Sequence, residues 1–355
     1  MLKPFTNFNL LGGRTIKTGV SVFITALICG FFNFPVVFAV ITAIVTIEHT
    51  AADSIKKATV RFPASAIGAL LATSFYALLG KEAITYALAA MLTIAICHKL
   101  KLDDGIIVAT ITATAMIPEF HDHYFVSFLT RLGTTSIGIV VSTFVNFFLM
   151  PPNYFPIIDK TINDLFTHAS QLTIRIISSN KGNSNEKTRN ISRSYRQLTA
   201  KLEKAFQLSQ YQREEWKYHR HTIEQMSAFQ LSQKKLAALQ QIAYHLGNLQ
   251  YAHVEPDDFS PEERTLLKEI VQCFAETLED QEHKIGEDQY KKVEKLDHLF
   301  WKWKELHVEY SDKTQHQLPP QTILMYELLC FHDVLKELER MCSQYKKAVA
   351  TSGST

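Results

Sequence analysis

The first part of the chain is a series of long apolar runs separated by short charged stretches. Residues 18–47 contain no Asp, Glu, Lys or Arg. As one helix rising ~1.5 Å per residue, that run would overshoot the ~30 Å hydrocarbon core of a bilayer. Pro35, which follows Phe31-Phe32-Asn33-Phe34, divides it into two spans joined by a tight turn. Further uncharged runs cover residues 62–80, 83–97, 105–118 and 132–150. The pattern predicts six spans, at about residues 18–34, 35–48, 62–80, 83–98, 104–118 and 130–150, in a transmembrane domain of residues 1–150. The competing reading is the buried core of a soluble helical protein, but so many long charge-free runs rarely occur together outside membranes. Residues 18–47 are also far too long for the apolar region of a signal peptide.

After Met150 the pattern changes. Pro151-Pro152 end the last apolar run, and Phe155, Ile158, Ile162, Leu165, Ala169, Leu172 and Ile176 then recur at spacings of 3 and 4, a helical stripe. Residues 178–187 (SSNKGNSNEK) read as a polar linker, and amphipathic segments follow near residues 190–209 and 212–252. Ser260-Pro261-Glu262-Glu263 is a helix start, with an N-cap, Pro at the first position and Glu at the third. The final helix carries Leu324, Leu328, Phe331, Leu335, Leu338, Cys342 and Tyr345. Residues 151–355 therefore predict a cytoplasmic helical bundle, able to dimerise the protein or to gate a pore, and the predicted fold is all-α throughout.

Charge follows the same division. Residues 1–150 hold 10 Lys/Arg and 7 Asp/Glu, against 27 and 28 in residues 151–355. The basic residues also orient the spans. Lys3, Arg14 and Lys17 precede span 1, Lys56, Lys57 and Arg61 lie between spans 2 and 3, and Lys99 and Lys101 between spans 4 and 5. The opposite connections carry little positive charge, so both termini are expected in the cytoplasm of a multi-pass plasma-membrane protein. A net charge of +2 argues against a nucleic-acid binder, which would normally show a concentrated basic face. The five cysteines show no CxxC pairing, and no nucleotide loop, zinc motif or nucleophile triad is present. No cofactor, no metal and no catalytic residue is expected, and the chain does not read as an enzyme.

A shift of 70 residues aligns spans 1–3 with spans 4–6 without a gap. Ala39, Ile41, Thr42, Ala43 and Ile47 meet Ala109, Ile111, Thr112, Ala113 and Ile117, and Arg61, Ile67, Gly68 and Thr73 meet Arg131, Ile137, Gly138 and Thr143. Three spans per copy is an odd number, so the copies are expected upside down relative to each other. That is a common plan of secondary transporters, with the substrate site at the repeat interface. Spans 2 and 5 correspond and are short, and paired short segments point to the site.

The candidate pathway residues follow from this. Guanidinium groups bind carboxylates bidentately, so Arg61 and Arg131 suit an organic anion. Arg61 competes with a role as a positive-inside anchor, whereas Arg131 falls on the outer side, where positive charge is not favoured. Thr50, Ser54 and Arg61 share one helical face if the helix continues through them. Glu48 is a proton-coupling carboxylate or the counter-ion of Arg61. Thr42 and Thr112 offer hydroxyls to a substrate, or bond only their own helix backbone. Asp103-Asp104 are expected to cap span 5. Glu119, His121, Asp122 and His123 cluster on the outer side and read as a solvated loop rather than a metal site.

Lys17-Thr18, the stretch TIEHTAADSIKKATVRFPASAIG and the phrase RLGTTSIG resemble the aromatic acid exporter family of the fusaric-acid-resistance superfamily, over residues 10–150. The plant aluminium-activated malate transporters look like more distant relatives. The resemblance implies export or conduction of organic anions, basic residues near the pathway and a homodimer. One departure is Phe62-Pro63 where the second repeat has Leu132-Gly133. The expected function is export of aromatic carboxylate-type anions across the lipid bilayer. A passive anion channel and a membrane-anchored signalling or scaffold protein are the alternatives.

Overall fold

The computed structural model describes residues 12–119, 124–178, 184–252, 259–310 and 319–352. Among these it is all-helical: α1 (Gly13–Phe31), α2 (Val36–Thr46), α3 (Ala51–Leu79), α4 (Ala83–Lys99), α5 (Ile106–Met116), α6 (Tyr124–Phe148), α7 (Phe155–Ile177), α8 (Ser184–Glu215), α9 (Ile223–Tyr251), α10 (Pro261–Glu279), α11 (Glu287–Tyr310) and α12 (Pro320–Ser352). They form two compact units. One comprises residues up to Asn153 together with Tyr211–Arg220; the other holds Tyr154–Gln210 and residues from His221 onward. The last turn of α8 thus belongs to the first unit.

In the first unit, α1, α3 and α6 are long and apolar enough to cross a membrane, while α2 and α4 are shorter apolar helices. The bounds of α2 and α5 are separated by the same 70 residues as the sequence repeat. Each has 11 residues, shorter than the uncharged runs suggest, and at ~1.5 Å per residue covers only about half of a bilayer core. Packing follows the repeat. α3 packs on α5 as α2 packs on α6, α3 on α4 as α6 on α1, and α1 on α2 as α4 on α5. A methyl on Gly68 would overlap the Ala109 carbonyl, and one on Gly138 would stand 2.5 Å from the Ala39 carbonyl. These contacts interchange under the 70-residue shift, and they explain why the two glycines match in the sequence: only a bare Cα lets the helices approach so closely.

The interior of this unit is lined by small residues, with Ala39, Ala43, Ala64, Ala69, Ala72, Ala109 and Ala113 fully or almost fully buried. The large apolar side chains face outward: Phe31 is 82% exposed, Leu78 78% and Phe23 66%. This inverts the plan of a soluble protein and suits a lipid-facing surface.

Two boundaries differ from the sequence reading. The charged stretch placed between spans 2 and 3 forms the first turns of α3, which starts at Ala51 rather than near Phe62. Thr50 caps that helix, its Oγ1 accepting from Asp53 N at 3.1 Å, and Asp53 favours the positive helix end. Pro63 sits inside α3. Asp103-Asp104 form a short 3₁₀ turn ahead of α5 and give it no side-chain cap. Instead Asp103 Oδ1 bonds His98 Nδ1 at 2.8 Å. Of the outer cluster, His121, Asp122 and His123 lie outside the described residues.

In the second unit α7 packs on α9 and α10, and α12 on α9 and α11. Its core is bulky: Ile158, Ile162, Leu165, Phe229, Leu236, Phe274, Phe331 and Leu335 are buried, and Phe274 stacks on Phe331 at 5.3 Å. Ser260 and Glu263 form the capping box that opens α10. Helix α8 begins inside the stretch read as a linker, and residues 212–252 are not one segment. Helix α8 stops at Glu215 and α9 starts at Ile223, where Thr222 and Gln225 close a second capping box.

Candidate functional site

Polar side chains inside an apolar, small-residue unit must satisfy one another, because lipid cannot. In the first unit three groups of them bond across helices, while others, such as Thr46 and Thr93, bond their own helix.

The first group centres on Arg131, on α6 and 5% exposed. Its Nη2 donates to Thr112 Oγ1 of α5 at 3.0 Å, and the guanidinium lies over the Phe38 ring of α2 at 3.8 Å. Thr112 shares a 3.1 Å hydroxyl bond with Ser65 of α3, and Ser65 donates to Thr135 Oγ1 at 3.4 Å. Ser65 and Thr135 are equivalent under the 70-residue shift, so the string crosses the repeat boundary at matched positions.

The second group centres on Arg61, on α3 and 7% exposed. Its Nη2 donates to Glu48 Oε1 at 2.5 Å and its Nε to the Asp104 carbonyl at 3.3 Å, while Nη1 is buried without a hydrogen-bond partner. Glu48 Oε2 accepts from Lys57 at 3.1 Å, and Lys57 also pairs with Asp53 at 2.8 Å. Glu48 therefore faces two cations. Removing it would leave the buried Arg61 charge uncompensated, which is far costlier than the net value of the pair.

The third group surrounds the α2–α3 turn. Lys17 of α1 is 5% exposed and donates from Nζ to Asn146 Oδ1 at 2.9 Å and to its carbonyl at 3.2 Å. Asn146 Nδ2 in turn donates to Ser54 Oγ at 2.6 Å, Thr50 O at 3.1 Å and Glu48 O at 3.2 Å. At the same turn the Ala51 amide donates to Glu215 Oε2 at 2.9 Å. Glu215 is 1% exposed, and its Oε1 is 3.1 Å from His219 Nδ1. Burial pushes the Glu215 carboxyl above the usual carboxylate range, opposed by the Ala51 hydrogen bond and by the charges of His219 and Lys17.

The structure thus brings Glu48 to Arg61, Thr112 to Arg131, and Thr50 with Ser54 to Asn146. Thr42 stands apart: its hydroxyl bonds the Phe38 carbonyl of its own helix at 2.9 Å. Four contributors were not singled out from the sequence. Ser65 and Thr135 lie within the matched phrases RFPASAIG and RLGTTSIG, so the repeat alignment could have found them. Asn146 is the one side-chain amide in the run of residues 132–150 and could have been flagged on that ground. Glu215 left no signal, since it lies 164 residues from its partner Ala51. Among the described residues no group of His, Cys, Asp and Glu could hold a metal ion.

Similarity to known proteins extends over nearly the whole chain. A UPF0421 protein of Bacillus cereus is 46% identical over 344 residues, which cover 96% of each chain. The chain belongs to the UPF0421 family. Other UPF0421 proteins match as widely: that of Halalkalibacterium halodurans is 36% identical over 98% of this chain and 94% of its own, and that of Oceanobacillus iheyensis 37% identical over 93% and 95%. Within this UPF0421 chain, residues 9–149 match the family model described as aromatic acid exporter family member 1. The resemblance carried by RFPASAIG and RLGTTSIG is thereby shown. With the three span-length apolar helices, the match over residues 9–149 supports a membrane protein whose first part is similar to a family named for export.

Proposed function

We propose that the membrane unit exports organic anions of the aromatic carboxylate type, with Arg61 and Arg131 on the path. One observation carries this reading. Two arginines at repeat-equivalent positions are both buried, Arg61 bonded to Glu48 of the adjacent turn and Arg131 to the repeat-matched Thr112. A membrane anchor has no need of two desolvated guanidinium groups. A carboxylate crossing the bilayer does need them, because each replaces water with charge-assisted donors. Thr112, Ser65 and Thr135 extend the donors of the Arg131 group, Glu48 is the counter-ion that holds Arg61 between substrates, and Thr50 and Ser54 belong to the inner end through Asn146.

The same reading takes the 70-residue repeat as inverted, with six helices crossing the plasma membrane and both termini in the cytoplasm. The crosswise packing of α2, α3, α5 and α6 supports it. Single cysteines replacing His121, Lys101 and Asn185 in a cysteine-free background test the layout: position 121 should label from outside, and 101 and 185 only from inside. Outside labelling at 185 contradicts it. The family resemblance adds a homodimer, tested by mass measurement in detergent.

Anion movement itself is tested in proteoliposomes loaded with benzoate, with benzyl alcohol as the neutral control. Protein-dependent benzoate flux that a pH gradient drives uphill supports a coupled exporter. Flux that only dissipates a benzoate gradient makes the unit a passive channel. No protein-dependent flux refutes the reading and leaves an anchoring or scaffolding protein.

A further inference from the structure

A cleft of about 990 Å³ opens in the second unit between α9, the α10–α11 connection and α12, a volume within the ~300–1,000 Å³ range of small-molecule sites. Its walls are strongly charged, and nearly all of that charge is already paired. Glu282 holds Lys284 at 2.9 Å and Lys346 at 2.6 Å, Arg340 meets Glu337 at 2.7 Å, and Lys336 stands 4.0 Å from Asp333. The fourth carboxylate, Glu339, accepts from the Ile285 amide at 3.0 Å and from the Tyr290 hydroxyl at 3.4 Å.

Lys235 is the exception. It lines the cleft from α9 and is half-buried, yet among the described residues no carboxylate or other acceptor meets its ammonium; Nζ lies instead 5.9 Å from the centre of the Phe166 ring. An exposed lysine needs no partner, since water serves it. A half-buried one over a ring gives up part of that hydration and gains only a weak cation–π contact. His283, 2% exposed, packs on the same ring at 4.4 Å. Its Nδ1 donates to the Thr277 carbonyl at 3.0 Å, which leaves Nε2 a buried acceptor without a partner. The unmet hydrogen-bonding capacity of this region thus gathers around Phe166. The charge count narrows the ligand. Five cations face four carboxylates in the walls, an excess of one, which a monoanion balances and a polyphosphate would overshoot against four like charges. Leu231, one turn before Lys235 on the same face of α9, and Cys342 of α12 add apolar wall for the body of such an anion.

We propose that this cleft binds a small organic monoanion with an apolar body, of the aromatic monocarboxylate class, and that Lys235 holds its charged end. That the ligand is also the cargo rests on the transport reading above, and in that case the second unit senses the anion that the membrane unit moves; the site itself does not depend on that reading.

Cys342 lines the same cleft and is half-buried, so its reactivity reads occupancy. The full chain in lipid nanodiscs is treated with N-ethylmaleimide, and modification of each cysteine is followed by peptide mass spectrometry. Benzoate should slow Cys342 in a saturable way, while Cys273 and Cys330, which do not line the cleft, keep their rates and report an intact fold. Benzyl alcohol and inorganic phosphate should not protect at the same concentrations. Lys235→Gln should raise the half-protecting benzoate concentration about tenfold or more, and Lys235→Arg should keep protection. If Lys235→Gln disturbs the Cys273 and Cys330 rates, the comparison of benzoate with its two controls in the parent decides alone. No protection of Cys342 by benzoate, equal protection by either control, or equal protection in Lys235→Gln overturns the proposal and leaves Lys235 an ordinary surface cation. Proteoliposome flux separates the two readings. Protection with no benzoate flux keeps the site and removes transport. Benzoate flux with no protection keeps transport and removes the site.

Discussion

The two units solve the packing problem in opposite ways. In the membrane unit the helices meet through Ala, Gly, Ser and Thr, and Phe23, Phe31 and Leu78 point away from the interior. In the second unit Phe229, Phe274, Phe331 and Leu335 fill the interior. The difference is the one expected between a lipid-facing and a water-facing helical unit. Lipid tails are as apolar as leucine, so large side chains gain little by turning inward, and close backbone approach with polar contacts must hold the helices together. In water the same side chains contribute most of the stability by being buried. Polar groups differ in parallel. In the membrane unit Arg131, Thr112, Ser65 and Thr135 bond in one string, and Arg61, Glu48, Lys17 and Asn146 gather around the α2–α3 turn, while Thr42 and Thr46 bond their own helix.

This contrast can be broken by substitutions of opposite kind. The largest effect is expected from truncation in the second unit. Phe331→Ala removes a fully buried ring stacked on Phe274 and should cost about 3–5 kcal/mol. Urea unfolding of a fragment of residues 154–355 measures it, and the bulky core predicts that this fragment is soluble and mostly helical by circular dichroism. An insoluble fragment, or a loss below about 1 kcal/mol, would break the contrast.

Acid gives the next largest effect in the same unit. Burial, with the Lys235 charge adding to it, holds His283 at about 4 against an ordinary 6.5. The folded chain therefore refuses a proton that the unfolded chain accepts between those values. Stability is complete above pH 6.5 and falls as the pH drops toward 4, by at most about 3 kcal/mol. His332, also pushed down by burial, works in the same direction. The fragment should lose urea resistance between pH 7 and 4.5, and His283→Leu should flatten that slope. Equal slopes in the two proteins would contradict the assignment.

In the membrane unit, addition rather than removal should harm. Gly68→Ala and Gly138→Ala each drive a methyl into a neighbouring carbonyl and should cost about 1–3 kcal/mol, read as a lowered unfolding temperature in detergent. Similar losses at the two positions sharpen the view that they are equivalent. A loss at only one would show that the repeat is not equally tight on both sides. The smallest effect belongs to the lipid-facing surface: Leu27→Ala, at a position 58% exposed, should change stability by no more than about 0.5 kcal/mol.

Much of this division is visible in the sequence, because it rests on local pattern. Pro35 marks the break between α1 and α2, Ser260-Pro261 marks the start of α10, and the 70-residue alignment finds Gly68 and Gly138 before any contact is known. The start of α3 is hidden, because Asp53, Lys56, Lys57 and Arg61 stand between the uncharged spans. Thr50 instead caps a helix whose charged first turns carry Lys57 and Arg61 to Glu48. The partners of the arginines are only half legible. Thr112 and Ser65 can be listed from the repeat, but that Thr112 serves Arg131 while Thr42 bonds its own backbone depends on how the helices pack. Glu215 is not legible at all, since its contact joins residues distant in sequence, and an amphipathic pattern reads the same whether its charged face meets water or a helix end.

The central claim, that repeat-related arginines carry the anion, is tested most directly by benzoate flux normalised to correctly inserted protein, for Arg61 and Arg131 each replaced by Lys and by Ala. A charge-assisted hydrogen bond contributes about 1.5–3 kcal/mol, so each alanine variant should lose roughly ten- to a hundredfold. Lysine keeps the charge but not the planar fork and should fall between. Anchoring alone would leave Arg61→Lys silent and would lower insertion rather than flux per inserted molecule. Normalised flux unchanged in both Arg61→Ala and Arg131→Ala would contradict the claim.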